Sequence, residues 1–262
     1  MRITILGCGG SAGVPHIGGR DGAGEWGACD PKEPRNSRTR SSILLQWDDF
    51  NLLVDTSPDA RGQLLAARVA RVDALIYTHA HADHISGIDE VRLLNRITGK
   101  PMPAYMTGPT LEYLRHCYEY AFRPHVGPYF FRPVLEPTLI TPGETHRIGG
   151  HEFLFFEQDH EVTKSLGFRC GNFAYSTDVV RMDDSAFDLL AGIDSWVLGA
   201  FQRAPHPTHL NVDGALAWGQ RVGARRLVLT HMGNDLDWGW LQKRLPAGAE
   251  AAFDGMVIEV AQ

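Results

Sequence analysis

The chain has 262 residues, 44% hydrophobic and 21% charged, enough for one large domain (1–262) with a sizeable core. Its 25 Lys and Arg against 31 Asp and Glu leave a net charge of −6, which speaks against a broad nucleic-acid-binding face. Four scattered cysteines without a C-x-x-C pair fit reduced thiols better than a disulfide framework. The run before Gly7 is too short for a secretion signal, and no apolar run approaches membrane-spanning length. A cytoplasmic protein with no membrane partner is therefore expected.

Arg2 to Leu6 alternates polar and apolar residues and predicts a first strand, which runs into the glycine-rich stretch Gly7-Cys8-Gly9-Gly10-Ser11-Ala12-Gly13. Glycines there allow close backbone approach, but the order is not that of a nucleotide P-loop, so a loop lining a site is expected. Residues 15–40 lack periodicity and read as a long surface loop. Its Arg38 and Arg40 are candidate contacts for an anionic substrate, set against the plainer reading of solvated charges. Ser42 to Gln46 and Asn51 to Asp55 read as a hairpin. A carboxylate ending a buried strand needs a partner, and the N–H of a metal-bound histidine would satisfy Asp55. Pro58 to Val69 reads as a helix.

The apolar run Ala74-Leu75-Ile76-Tyr77 then delivers the chain into Thr78-His79-Ala80-His81-Ala82-Asp83-His84. Four ligand-type side chains fall within six residues. Residues two apart on an extended chain point the same way, so His79 and His81 can grip one ion. Asp83 and His84 are adjacent, so the chain must turn to aim both inward, and Ala80 and Ala82 leave room for it. Mixed imidazole and carboxylate donors suit Zn and neighbouring divalent ions, and suggest two ions rather than one structural ion.

Gly87 to Ile97 and Thr110 to Phe122 read as helices. The proline- and aromatic-rich segment from Arg123 to Pro142 cannot be a regular helix, and reads equally as a connection or a substrate lid. The second half repeats one arrangement. Strands at Glu152 to Glu157, Asn172 to Ser176, Ser195 to Leu198 and Arg225 to Leu229 are followed by His160, Asp178, the pair His206 and His209, and His231. One such residue is usually a cap or a turn, but strand ends on one edge of a sandwich converge.

The T-H-A-H-A-D-H stretch resembles the H-x-H-x-D-H signature of the metallo-β-lactamase superfamily, and His160, Asp178 and His231 follow in the order of its later ligands. The resemblance implies an α/β fold, an αββα sandwich of two mixed sheets flanked by helices. Within the superfamily the chain is most similar to the phosphoribosyl cyclic phosphodiesterase (PhnP-like) family. It shares with it the opening glycine loop, Leu229 to His231, the Pro207 to Asp213 stretch and the closing Phe253-Asp254-Gly255-Met256, taken as part of a strand pair. That resemblance assigns His79, His81 and His160 to one divalent ion, Asp83, His84 and His231 to another, and Asp178 to both. The ions would be Zn or Mn. His209 would be a non-ligand catalytic histidine with a pKa near working pH, His206 its less favoured neighbour in contact with substrate, and Asp83 a catalytic carboxylate as well as a ligand. Relatives carry a structural zinc on clustered cysteines and a histidine. Here only Cys29 is present and Asn234 replaces the histidine, so that zinc is expected to be absent.

The expected chemistry is hydrolysis of a small (cyclic) phosphodiester by a hydroxide shared between two ions. Rivals are a thioester or lactone hydrolase, a ribonuclease, a β-lactamase, and a metal-dependent carrier. The expected partner is a small phosphorylated molecule rather than a nucleic-acid polymer, and a homodimer is compatible with the sequence.

Overall fold

The computed structural model describes residues 1–261. In chain order its strands are β1 (Arg2–Gly7), β2 (Ser42–Gln46), β3 (Asn51–Val54), β4 (Ala74–Ile76), β5 (Met102–Met106), β6 (Leu135–Leu139), β7 (Thr145–Ile148), β8 (His151–Asp159), β9 (Lys164–Cys170), β10 (Phe173–Ser176), β11 (Ser195–Gly199), β12 (Arg226–Thr230), β13 (Ala249–Ala251) and β14 (Val257–Glu259). The helices are α1 (Ala60–Ala66), α2 (Ala82–Ile85), α3 (Val91–Thr98), α4 (Gly108–Cys117), α5 (Asp184–Leu190), α6 (Val212–Val222) and α7 (Trp238–Arg244).

The strands form two seven-stranded sheets, in the orders β14-β1-β2-β3-β4-β5-β6 and β13-β12-β11-β10-β9-β8-β7. Both are mixed. In the first, the pairs from β14 to β3 are antiparallel and those from β3 to β6 parallel. In the second, the pairs from β7 to β10 are antiparallel and those from β10 to β13 parallel. Helices cover the outer faces, so the architecture is the αββα sandwich.

The pleat explains how the sequence fills both faces. Ile43 and Leu45 of β2 join Ile3, Ile5, Val54 and Ile76 against Phe153, Phe155 and Phe168 of the second sheet. Leu44, between them, points the other way and packs with Leu53, Leu75, Ile85, Val91 and Leu114 beneath the helices. Strands buried on both faces read as continuous apolar runs, which is why β2, β3 and β4 stand out in the sequence.

Several expectations change at their boundaries. The helix expected from Thr110 to Phe122 is two pieces, because Tyr118 (φ −130, ψ 42) breaks α4 before a 3-10 turn at Glu119–Phe122. The Gly87 to Ile97 helix opens as a 3-10 turn and ends at Gly99, whose φ of 70 only glycine adopts without strain. The helix expected from Pro58 to Val69 is confined to α1. The segment Arg123 to Pro142 carries strand β6, whose Pro137 is tolerated because β6 is an edge strand. Phe253 to Met256 is a turn between β13 and β14 rather than part of a strand pair. There the Asp254 carboxylate accepts from Cys8 N at 3.1 Å and from Thr39 N and Oγ1 at 2.8 and 2.6 Å. No described helix is long and apolar enough to cross a membrane.

Candidate metal centre

Strand β4 ends at Ile76, and the next residues bring His79 and His81 to the edge of the first sheet. His81 is the N-cap of α2, and His84 N donates to His81 O at 3.0 Å, which is the turn that aims Asp83 and His84 inward together. From the second sheet, His160 follows β8, Asp178 follows β10 and His231 follows β12. These ligand-type residues meet in two groups, His79–His81–His160–Asp178 and Asp83–His84–Asp178–His231. Within each group the candidate donor atoms lie within 4.8 Å of one another.

Asp178 belongs to both groups, and its two oxygens divide between them. Oδ2 lies 3.6 Å from His79 Nε2 and 3.4 Å from His160 Nε2, while Oδ1 lies 3.3 Å from His84 Nε2 and 3.0 Å from His231 Nε2. Asp83 Oδ2 is 3.2 Å from His84 Nε2 and 3.4 Å from His231 Nε2. Apart from His81 all of these side chains are buried.

Contacts on the far ring nitrogens orient the imidazoles. His160 Nδ1 lies 2.7 Å from Thr208 O, a carbonyl that can only accept, so Nδ1 carries the proton and Nε2 presents a lone pair. His84 Nδ1 lies 2.7 Å from Asp55 Oδ2, which fixes His84 in the same way. Asp55 is itself held, accepting from Thr78 N and Thr78 Oγ1, both at 2.8 Å. Asp55 and His231 both have positive φ, 63 and 56, in a region that non-glycine residues enter at a cost of roughly 1–3 kcal/mol when the surroundings enforce it.

Burial would lower His84, but Asp83, Asp178 and Asp55 around it outweigh that and hold its imidazole well up, so positive charge is favoured where the carboxylates converge. Burial, together with His84, pushes the His79 imidazole well down, and burial lowers His81 too, so both are neutral. Burial would raise the Asp83 carboxyl, but His84 and His231 outweigh it and hold it well below the usual carboxylate range. His231, His84 and His79 do the same to Asp178 against its complete burial. His79 Nε2, buried and aimed at Asp178, finds no hydrogen-bond partner, a costly condition for a polar nitrogen unless a cation uses its lone pair. The residues therefore fit two divalent ions.

Around this centre the structure distributes the other candidates. His209, on the loop between β11 and α6, packs 4.5 Å from His160 and 5.0 Å from His231 between ring centroids, and stacks on Phe201 at 4.8 Å. Burial, with His231 beside it, pushes its imidazole down to about 3, so it stands neutral rather than poised near working pH. His206 lies 5.2 Å from it, with Nδ1 accepting from Thr208 N and lying 3.2 Å from Thr208 Oγ1.

Arg38 is neither a substrate contact nor a solvated charge. It is 2% exposed, and its guanidinium donates to Gly233 O (3.2 Å), Leu236 O (2.6 Å) and Asn36 Oδ1 (3.2 Å). Those carbonyls belong to the segment after His231, so Arg38 braces the chain that delivers a ligand. Arg40 is partly buried, with Nε 3.0 Å from Asp59 Oδ2. The glycine loop has a similar bracing role. Gly10 N donates to Met232 O, beside His231, and a Cβ at Gly10 would come 2.7 Å from the Phe201 ring. Cys29 Sγ lies 4.0 Å from Arg38 Nη1, and Asn234 O accepts from Ala28 N.

Sequence reasoning did not single out Thr78, Thr208, Phe201 or Ser165, whose Oγ donates to Asp178 O at 2.7 Å. Only Thr78, adjacent to the first histidine, carried a signal.

Comparison with known proteins agrees with this geometry. The profile of the Beta-lactamase superfamily domain matches residues 50–232, which include all seven candidate ligands. A crystal structure described as a new diphosphatase from the PhnP family superposes with a TM-score of 0.89 at 34% identity, covering 99% of this chain and 98% of that one. The chain belongs to the PhnP family. Among curated proteins, this member of the PhnP family is similar to an octanoyltransferase of Porphyromonas gingivalis, 29% identical over 237 residues, 88% of this chain and 46% of that protein. It is also similar to a ribonuclease Z of Kineococcus radiotolerans, 29% identical over 178 residues, 65% of this chain and 52% of that protein. The chain spans about half the length of these two relatives.

Proposed function

We propose that the chain is a dinuclear metal-dependent hydrolase acting on a small phosphodiester, such as a phosphoribosyl cyclic phosphate or a nucleotide-like compound, with Zn or Mn as its ions. The observation that supports this reading is the division of Asp178, one oxygen toward each group of imidazoles, which would let two cations share it. The likeness to a diphosphatase of the PhnP family supports phosphorus as the centre attacked.

His79, His81 and His160 would hold one ion, Asp83, His84 and His231 the other, with Asp178 shared. Two divalent cations there supply Lewis acidity that lowers the pKa of water and offsets charge on phosphoryl oxygens. The protein does the rest. Asp83, held as a carboxylate, accepts a hydrogen bond from the attacking water and orients it. Asp55 keeps His84 in one tautomer and one orientation. His209, neutral and stacked on Phe201, donates an N–H hydrogen bond to the departing ester oxygen, where negative charge develops. His206 is a candidate substrate contact beside it.

The test is an assay of metal-loaded protein on bis(p-nitrophenyl) phosphate, cyclic nucleotides and cyclic ribose phosphates, before and after chelation. The reading expects turnover that chelator abolishes and added Zn or Mn restores; no metal-dependent turnover on any of them refutes it. A ribonuclease is the second reading, favoured by the similarity to ribonuclease Z. The net charge of −6 weighs against it, and a structured RNA in the same panel separates the two.

A further inference from the structure

One cavity adjoins the loop that carries His79 and His81, although no candidate ligand lines it, and nothing above gives it a role. It has a volume of about 520 Å³ and lies where the parallel strands β4, β5 and β6 end, the edge at which β4 delivers the histidines. Ala80, between His79 and His81, forms one wall, and Ser165, whose Oγ holds the carbonyl of Asp178, forms another. Its size falls within the range of sites that enclose small molecules.

The lining specifies what would sit there. Pro109, Leu139, Ile140 and Pro142 give it apolar surfaces. Its charged groups, Lys164 and Glu157, face each other with Nζ 3.5 Å from Oε1, and Lys164 also lies 3.6 Å from Asp159, so the lining charges of the cavity balance. Polar partners are neutral. Thr107 and Thr110 are joined through their hydroxyls at 3.0 Å. The N–H groups of Gly108 and Thr110, in the first turn of α4, lie beyond the reach of helical acceptors, and Thr107 makes no side-chain cap. Tyr113 stands half exposed at the rim. Apolar faces with uncharged donors at the margin suit a flat, neutral, heteroaromatic group.

From this lining we infer that the cavity binds the nucleoside arm of a phosphodiester whose phosphorus lies at the metal centre. The inference rests on the hydrolase reading for the position of the phosphorus, and adds the substrate class. Gly108 is the residue through which to test it. A Cβ built there meets no atom within 4 Å and its backbone does not require glycine, so Gly108→Leu occupies free volume without displacing structure.

The experiment compares thymidine 5′-(p-nitrophenyl phosphate) with methyl p-nitrophenyl phosphate, which differ in the arm and share the reacting ester. The metal-loaded protein should show a KM lower by about tenfold or more for the thymidine ester, and Gly108→Leu should collapse that ratio. Tyr113→Ala, at an exposed position where folding is not at stake, should reduce it severalfold. Calorimetric titration with thymidine 5′-monophosphate, a readout independent of turnover, should show binding to the parent protein and on the order of tenfold weaker binding to Gly108→Leu. Equal KM values for the two esters in the parent protein, or a ratio that survives Gly108→Leu at full metal content, overturns the inference. If neither ester is hydrolysed, the hydrolase reading fails alone. Calorimetry then decides the cavity: thymidine 5′-monophosphate binding that Gly108→Leu weakens sustains it, and binding that is absent or unaffected by the substitution overturns it.

Discussion

The two sheets reach the same site by opposite routes. The first sheet spends one loop on it, with His79, His81, Asp83 and His84 arriving within six residues after β4. The second sends one residue from each of three strand ends, His160 after β8, Asp178 after β10 and His231 after β12. The loop makes a local gripping unit, whereas the strand ends become a site only when the sandwich is assembled. The consequence is a division of labour. Each group of donors mixes both sheets, and Asp178, from the second, touches both groups. Metal held in this arrangement would tie the two sheets together and stabilise the folded state.

The largest effect should come from cutting that link. Asp178→Ala removes the only carboxylate common to both groups, so hydrolysis should fall to background and metal content should drop from two ions to at most one, read by elemental analysis. His209→Ala changes a residue of the second half that is in neither group. It should lower kcat by on the order of 10²–10⁴ with metal content retained, and loss of metal would instead make His209 a ligand. Asp55→Asn weakens the first half without removing a donor atom, because the amide can accept or donate and no longer fixes His84. Metal affinity should fall by roughly 10–100-fold, measured by competition with a chromogenic chelator.

The smallest effect on chemistry, with a clear one on stability, is expected at Arg38. Arg38→Met leaves Leu236 O without its donor, while Gly233 O keeps Leu236 N, at a cost of about 1–3 kcal/mol for the buried group left unpaired. A thermal melt should show Tm lower by roughly 2–4 °C for every kcal/mol lost. A substitution that instead left Tm intact and raised KM would return Arg38 to the substrate.

Legibility in the sequence followed the same asymmetry. The strands buried on both faces, β2, β3 and β4, showed as apolar runs, and the compact His/Asp loop showed as a donor cluster, because in both cases the signal lies within a few residues. The strand-end residues His160, Asp178 and His231 were readable only as a recurrence and through family resemblance. What brings them together is the pairing of β8 through β12, which no local pattern encodes. Helix α6 passed unnoticed because it contains Gly214 and Gly219. At Gly219 the missing side chain makes room for Leu227, whose Cδ2 would lie 2.8 Å from a Cβ there. Arg38 was misplaced for a similar reason. An arginine in a loop without periodicity reads as solvent-facing, and only the fold shows it inserted under the segment that follows His231. The neutral state of His209 was equally hidden, since burial beside other imidazoles is a property of the assembled site.

The central claim is that Asp178 joins two ions, each held by donors from both sheets. Metal content of the parent chain, His81→Ala and His231→Ala tests it most directly, since His81 belongs to one group and His231 to the other. The account predicts two divalent ions in the parent chain and one in each variant. A parent chain that binds a single ion, lost completely in both variants, would contradict it.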